Sequence, residues 1–249
     1  MVIMLDCPNF SEGNLDAKGQ TCESGIQALR HRIAVFNLSR SSDSTDERKR
    51  SMSISENFGN PKGLIGRLML SGMNMGHTPM AKWGFAQFEV PEAAVVVDIG
   101  CGGGYNVKRL LERCPRGHVF GVDISEESVK KSRAVNKSEV GKRCDIVRAS
   151  VEVLPLDDHV LDLATAFETV YFWPDIAENF KEVRRVLADS GHFVVINDPG
   201  NPNTHWEDKI PGMRAYTAEQ VAETMEAAGF SDIQISSEKN MFCVNGTAK

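Results

Sequence analysis

The stretch Val95–Val107, VVVDIGCGGGYNV, decides how the chain is read. Three valines lead to an acid, Asp98, and then to four glycines within positions 100–104. Glycine at that density costs backbone entropy, so it marks a place where the chain turns sharply or lets a ligand approach its backbone. A dinucleotide loop needs G-x-G-x-x-G/A, its last small residue letting helix and strand pack closely. Counted from Gly100 that last place is Tyr105, and counted from Gly102 it is Val107, so neither register fits. A phosphate-cradling P-loop would continue into Gly-Lys-Ser/Thr, and this loop does not. The pattern that fits is G-x-G-x-G, made by Gly100, Gly102 and Gly104 behind Asp98.

Around the loop, β-type apolar runs alternate with helical patterns. AAVVVDI precedes a helix over 105–113, and HVFGVDI precedes one over 126–137 with Ser125 as its N-cap. CDIVRAS, LDLATAF, a helix over 175–188 and GHFVVIND follow. Strands spaced by helix-length segments predict a parallel sheet covered on both faces. A last helix runs from a capping Thr217 to Gly229. After it, SDIQISSE and NMFCVNGTA are close enough in sequence to pair antiparallel. The fold class expected is α/β: a doubly wound, Rossmann-like seven-stranded sheet, mostly parallel with the last strand antiparallel, behind an N-terminal helical lid.

The chain has 249 residues, 41% of them hydrophobic and 25% charged, enough for one substantial domain. Its net charge of −6 argues against a protein built to grip a nucleic-acid backbone. No apolar run approaches the ~20 residues of a membrane span, and Asp6 and Pro8 make the N-terminus a poor secretory signal. Cys7, Cys22, Cys101, Cys114, Cys144 and Cys243 form no C-x-x-C pair, and no histidines cluster at zinc spacing. They read as reduced thiols of a cytoplasmic protein, with no metal site and no membrane or nucleic-acid partner. Residues 1–56 include the Ser- and charge-rich tract Leu38–Glu56 and read as a poorly ordered extension. The domain is placed at 57–249, with a lid over 57–90 and a core over 91–249.

The second strand also ends in an acid, Asp123. A carboxylate there can accept two hydrogen bonds from a ribose diol. The ligand then has a ribose but needs no phosphate, and an amino acid linked to adenosine meets that description. Its ammonium would find loop carbonyls and the charge of Asp98.

VVVDIGCGGGYNV with VFGVDIS resembles motifs I and II of the class I S-adenosylmethionine-dependent methyltransferases, of the small-molecule type. RASVEVLPL, LDLATAFETVYFWPD and FKEVRRVLADSGHFVVIND are similar to later parts of that family, in the same order. The resemblance implies S-adenosylmethionine as cofactor, held by Asp98, Gly100, Gly102, Gly104, Asp123, Ile124, Ser150, Val151, Glu152 and Phe167. It also implies an in-line displacement onto a small-molecule acceptor, in which a base helps only if the attacking atom must lose a proton. His77 and Tyr171 are the catalytic candidates, and Trp83, Trp173, Asp198 and His205 the substrate candidates. The segment after the fourth strand reads FETV. It is neither the Asn/Asp-Pro-Pro-aromatic box of amino-methylating DNA enzymes nor a Pro-Cys nucleophile. Two other readings stay open: a catalytically silent S-adenosylmethionine-binding scaffold, and a nicotinamide-dependent oxidoreductase.

Overall fold

A computed structural model describes residues 78–198, 208, 210 and 212–249. The expected extension, most of the expected lid, His77 and His205 lie outside the described residues. The order is α1 (Thr78–Gly84), β1 (Val95–Ile99), α2 (Tyr105–Arg113), β2 (His118–Asp123), α3 (Glu126–Val135), β3 (Cys144–Arg148) and β4 (Leu161–Phe167). A single 3₁₀ turn (Val170–Phe172), α4 (Ile176–Val186), β5 (Leu187–Asn197), α5 (Ala218–Ala227), β6 (Phe230–Glu238) and β7 (Met241–Ala248) complete it.

The strands form one sheet in the order β3-β2-β1-β4-β5-β7-β6. β1 to β5 run parallel, while β7 lies antiparallel between β5 and β6. The expected seven-stranded, doubly wound sheet with its antiparallel last strand is therefore present.

Alternation along β1 explains why both faces are covered. Val95, Val97 and Ile99 point into a cluster with Phe180 and Val183 of α4 and Val221 and Met225 of α5. Val96 points the other way, into a cluster with Met80 of α1, Val107 and Leu110 of α2 and Val129 of α3. A strand buried on both faces must be apolar throughout, and β1 and β4 are buried at every position. The helices begin where the sequence supplies caps. Ser125 Oγ accepts the Ser128 N–H, Asp175 accepts from Ala177 and Glu178, and Thr217 with Gln220 closes a capping box.

As the sequence reading has it, no helix connects β3 to β4, and the linking segment 149–160 is held by Arg185 of α4. That guanidinium donates to the carbonyls of Leu154 and Leu156 and pairs with Asp158 and Glu182. β5 starts at Leu187 rather than 191, because α4 hands the chain directly to the sheet and Leu187 pairs with Leu161. Among the described residues, no helix is long and apolar enough to cross a membrane.

An aromatic cluster anchors the α4 and α5 face. Phe193 of β5 lies 5.0 Å from Phe180, 5.7 Å from Phe230 and stacks on Trp173 at 6.2 Å. Phe193→Ala should lower the unfolding free energy by about 3–5 kcal/mol, measured by denaturant titration. A loss under 1 kcal/mol would mean this face repacks freely.

Candidate active site

The chain leaves β1 through Gly100–Gly104. Gly100 has φ +74°, and a Cβ there would collide with the Thr169 side chain, so this loop packs directly on the segment leaving β4. Gly102 is different: φ is +51°, and the nearest atom to an added Cβ is Gly100 O at 4.0 Å. The space above Gly102 is open, a cradle that a Cβ would begin to fill. Gly104 precedes α2, and its carbonyl accepts from the Asn136 amide at 2.9 Å.

Asp123 holds this cradle in place. Its Oδ2 accepts the Gly102 N–H and its Oδ1 the Ser125 N–H, both at 2.8 Å. Each oxygen keeps a further lone pair for a ligand hydroxyl. Burial raises the Asp123 pKa, and the hydrogen bonds from Ser125 and Gly102 oppose that rise. The loop after β1 and the start of α3 are thus joined through one carboxylate.

Three large apolar side chains stand exposed on consecutive segments beyond β1, β2 and β3: Tyr105 at 43%, Ile124 at 47% and Val153 at 60%. Exposed apolar surface at the carboxyl ends of parallel strands suits the flat face of a base. Val151 is buried, and Ser150 donates to Glu152 Oε2 at 2.8 Å, so the 150–152 segment is a small closed turn. Tyr105 and Val153 were not expected from sequence. The only signal for Tyr105 was its place opposite the apolar stripe of α2, and Val153 had none.

On the other side of the cradle lie Asp98 and the segment after β4. Asp98 is buried and accepts from Thr165 Oγ1 at 2.9 Å. Burial pushes its pKa up to about 7, against the opposing Thr165 hydrogen bond. Glu168 has a left-handed backbone, φ 56°. Its Oε1 accepts the Asp198 N–H at 2.5 Å and its Oε2 the Tyr171 hydroxyl at 3.1 Å. Burial pushes Glu168 up to about 7 as well, and those two donors hold it down. Asp198 and Tyr171, expected separately, are therefore brought together by the Glu168 carboxylate. Tyr171 is itself buried, and its phenol pKa is raised by that burial and by Glu168.

Phe167 is buried against Phe85, with ring centroids 4.8 Å apart, beneath the segment that follows α1. Trp83 at the end of α1 is half-buried against the same cluster. Trp173 does not face an acceptor space. It is 5% exposed, stacked in the Phe193 cluster, with its indole N–H on Thr169 Oγ1 at 3.3 Å. Its aromatic character serves the core, which is the correction the packing imposes.

The buried acids set a pH dependence. Asp98 and Glu168 near 7 and Asp162 near 6 stay protonated in the fold above pH 4, where an unfolded chain has already ionised them. The folded state then binds more protons, so their stabilising contribution is full below about pH 4 and fades as pH rises to about 7. The thermal midpoint of the ligand-free protein should fall across that window, and Asp98→Asn should shrink the fall. A midpoint that rises from pH 4 to 7 in both proteins would refute it.

Comparison with known proteins agrees with this geometry. Residues 97–195 match the family model described as a methyltransferase domain. The chain is 25% identical over 169 residues to the uncharacterized methyltransferase YdaC of Bacillus subtilis, covering 67% of this chain and 89% of that one. It is 30% identical over 154 residues to the trans-aconitate 2-methyltransferase of an Azoarcus species, covering 59% of this chain and 58% of that enzyme. The fold matches the structure of a Haloferax volcanii complex between the Trm112 methyltransferase activator and a methyltransferase. That match has a TM-score of 0.67 at 22% identity, over 74% of this chain and 94% of that one. With the strand order, the glycine cradle and the Asp123 bridge, these matches make residues 97–195 a methyltransferase domain and the chain similar to the class I S-adenosylmethionine-dependent methyltransferases.

Proposed function

We propose that the chain transfers a methyl group from S-adenosylmethionine to a small-molecule acceptor by in-line displacement. The observation that carries this reading is the open space over Gly102 beside a carboxylate fixed at the end of β2. When bound there, S-adenosylmethionine supplies a methyl group on a positively charged sulfur that is already a good leaving group. Asp123 would hold the ribose, Ile124 and Val153 the base, and Asp98 with the loop carbonyls the ammonium. The remaining task of the protein is to align the acceptor and exclude water. Phe167, Phe85 and Trp83 offer apolar walls for that purpose. The net charge of −6 and the absence of a nucleic-acid methylation box support a small acceptor, as does the small acid named for the Azoarcus relative.

A scaffold that binds S-adenosylmethionine without turnover would share the cofactor side, and transfer of label separates it. An oxidoreductase is disfavoured by Tyr105, which opens α2 where a dinucleotide loop needs a small residue.

S-adenosylhomocysteine should raise the thermal midpoint of the full chain, whereas NAD should not; stabilisation by NAD alone would overturn the assignment. Methyl-labelled cofactor incubated with fractionated metabolites should pass its label to a small product. Gly102→Ala places a Cβ in space that is open in the free protein, so it should cost about 1 kcal/mol of stability from backbone strain. The same change should weaken S-adenosylhomocysteine binding at least tenfold in calorimetry, and Asp123→Ala should do the same. Unchanged affinity in both variants would remove the cradle from the binding site.

A further inference from the structure

The glycine loop is gripped by α3 at both ends of that helix. At the first turn the grip is the Asp123 carboxylate, shared between the Gly102 and Ser125 N–H groups. At the C-terminal end it is a pair of buried polar side chains, Ser132 and Asn136. Ser132 Oγ accepts from the Cys101 thiol at 3.9 Å. The Asn136 amide donates to Gly104 O and to Ser132 O, both at 2.9 Å. The fit is close. A Cβ on Gly104 would collide with Ser132 Oγ and stand 2.7 Å from Asn136 Nδ2.

Ending α3 does not require the Asn136 side chain, because the backbone does it. The Asn136 N–H donates to Ser132 O at 3.0 Å, and its carbonyl accepts the Glu139 and Val140 N–H groups. Asparagine is favoured after a helix where the backbone turns left-handed, and here φ is −104°. The amide instead crosses to a carbonyl 32 residues earlier in the chain. Burying an amide is costly unless it is paired, so its place depends on Gly104. Gly104 is where the loop becomes a helix. It is left-handed, φ 79°, and no side chain caps α2, whereas Ser125, Asp175 and Thr217 cap the helices that follow them. A side chain of α3, not of α2, therefore fixes the point where α2 starts.

We propose that Asn136 is a positioning residue of the cofactor site, which holds the glycine loop in its binding shape for the amino-acid half of S-adenosylmethionine. The inference rests on the methyltransferase reading above. In that reading the ribose and base lie on Asp123, Ile124 and Val153, whereas the amino acid meets the loop carbonyls beside Asp98. Asn136 touches neither half, being buried against Gly104. Without its amide, the Gly104 carbonyl keeps only the Lys108 N–H, at 3.1 Å. The loop between Gly102 and α2 then gains freedom that a ligand must remove on binding. The Asp123 tie to Gly102 is untouched, so the loss falls on the amino-acid half.

The test compares two ligands on the full chain. One is S-adenosylhomocysteine; the other is methylthioadenosine, which keeps the base, ribose and thioether but lacks the amino acid. Asn136→Leu keeps the bulk and removes the donor. It should weaken S-adenosylhomocysteine about tenfold in calorimetry, the effect of leaving roughly one residue to be ordered on binding. The affinity of methylthioadenosine, read by displacement of S-adenosylhomocysteine, should change by less than about twofold, since its contacts do not reach the freed loop. A merely structural role would lower both affinities together or neither, and either result overturns the proposal. Amide exchange gives a second reading that needs no fragment. In the ligand-free variant, exchange should quicken over 102–108 while β1 and β2 keep their wild-type rates, and S-adenosylhomocysteine should restore the protection. Quickening spread evenly over the sheet, or none at 102–108, overturns the proposal. Should Asn136→Leu fail to fold, Asn136→Ser, which withdraws the donor from Gly104, replaces it in both measurements. If wild type does not bind S-adenosylhomocysteine, the methyltransferase reading itself fails, and this one with it.

Discussion

The structure turns on one carboxylate that is held by its own backbone. Asp123 sits at the end of β2 with one oxygen on Gly102 and the other on Ser125, so two loops from different strands share a single anionic anchor. A charge in so closed a place is costly unless it is hydrogen-bonded, and here both oxygens are. The anchor fixes the height of the glycine loop above the sheet. That loop in turn fixes where α2 begins and how closely the chain after β4 can approach Gly100.

From that anchor the site divides into halves with different physics. Toward β2 and β3 the surface is apolar and exposed, with Ile124 and Val153 standing out from the ends of their strands. Toward β4 and β5 it is acidic and enclosed, with Asp98 and Glu168 both shifted upward by burial. A flat base suits the first half and a positively charged sulfur the second. The division falls at the reversal of strand order, so it is a property of topology as much as of side chains.

Much of this was legible in the chain itself. The G-x-G-x-G spacing, the strand-end acids and the alternation of runs carried the sheet and the cradle, because each depends on residues close in sequence. Trp173 was misread because an aromatic after β4 looks the same whether it turns to the core or to a ligand; only Phe180 and Phe193 decide that. The role of Glu168 was not legible. Its partner Asp198 lies a whole helix and strand away, and nothing local announces that the two loop ends meet. The tie that holds the segment after β3 was equally invisible, since it comes from Arg185 on α4.

The placing of β7 between β5 and β6 bears on how the chain assembles during synthesis. When β6 emerges, the free edge of β5 is not its partner, because that edge pairs with β7 in antiparallel register. β6 has no seat in the sheet until Met241–Ala248 follows and bridges both. Until then the Phe193 side of the core lacks Phe242 and Val244, and an unpaired apolar strand edge is open to other chains. The half of the sheet that carries the glycine cradle is complete by the time β4 is made, so the interval of exposure belongs to the opposite half.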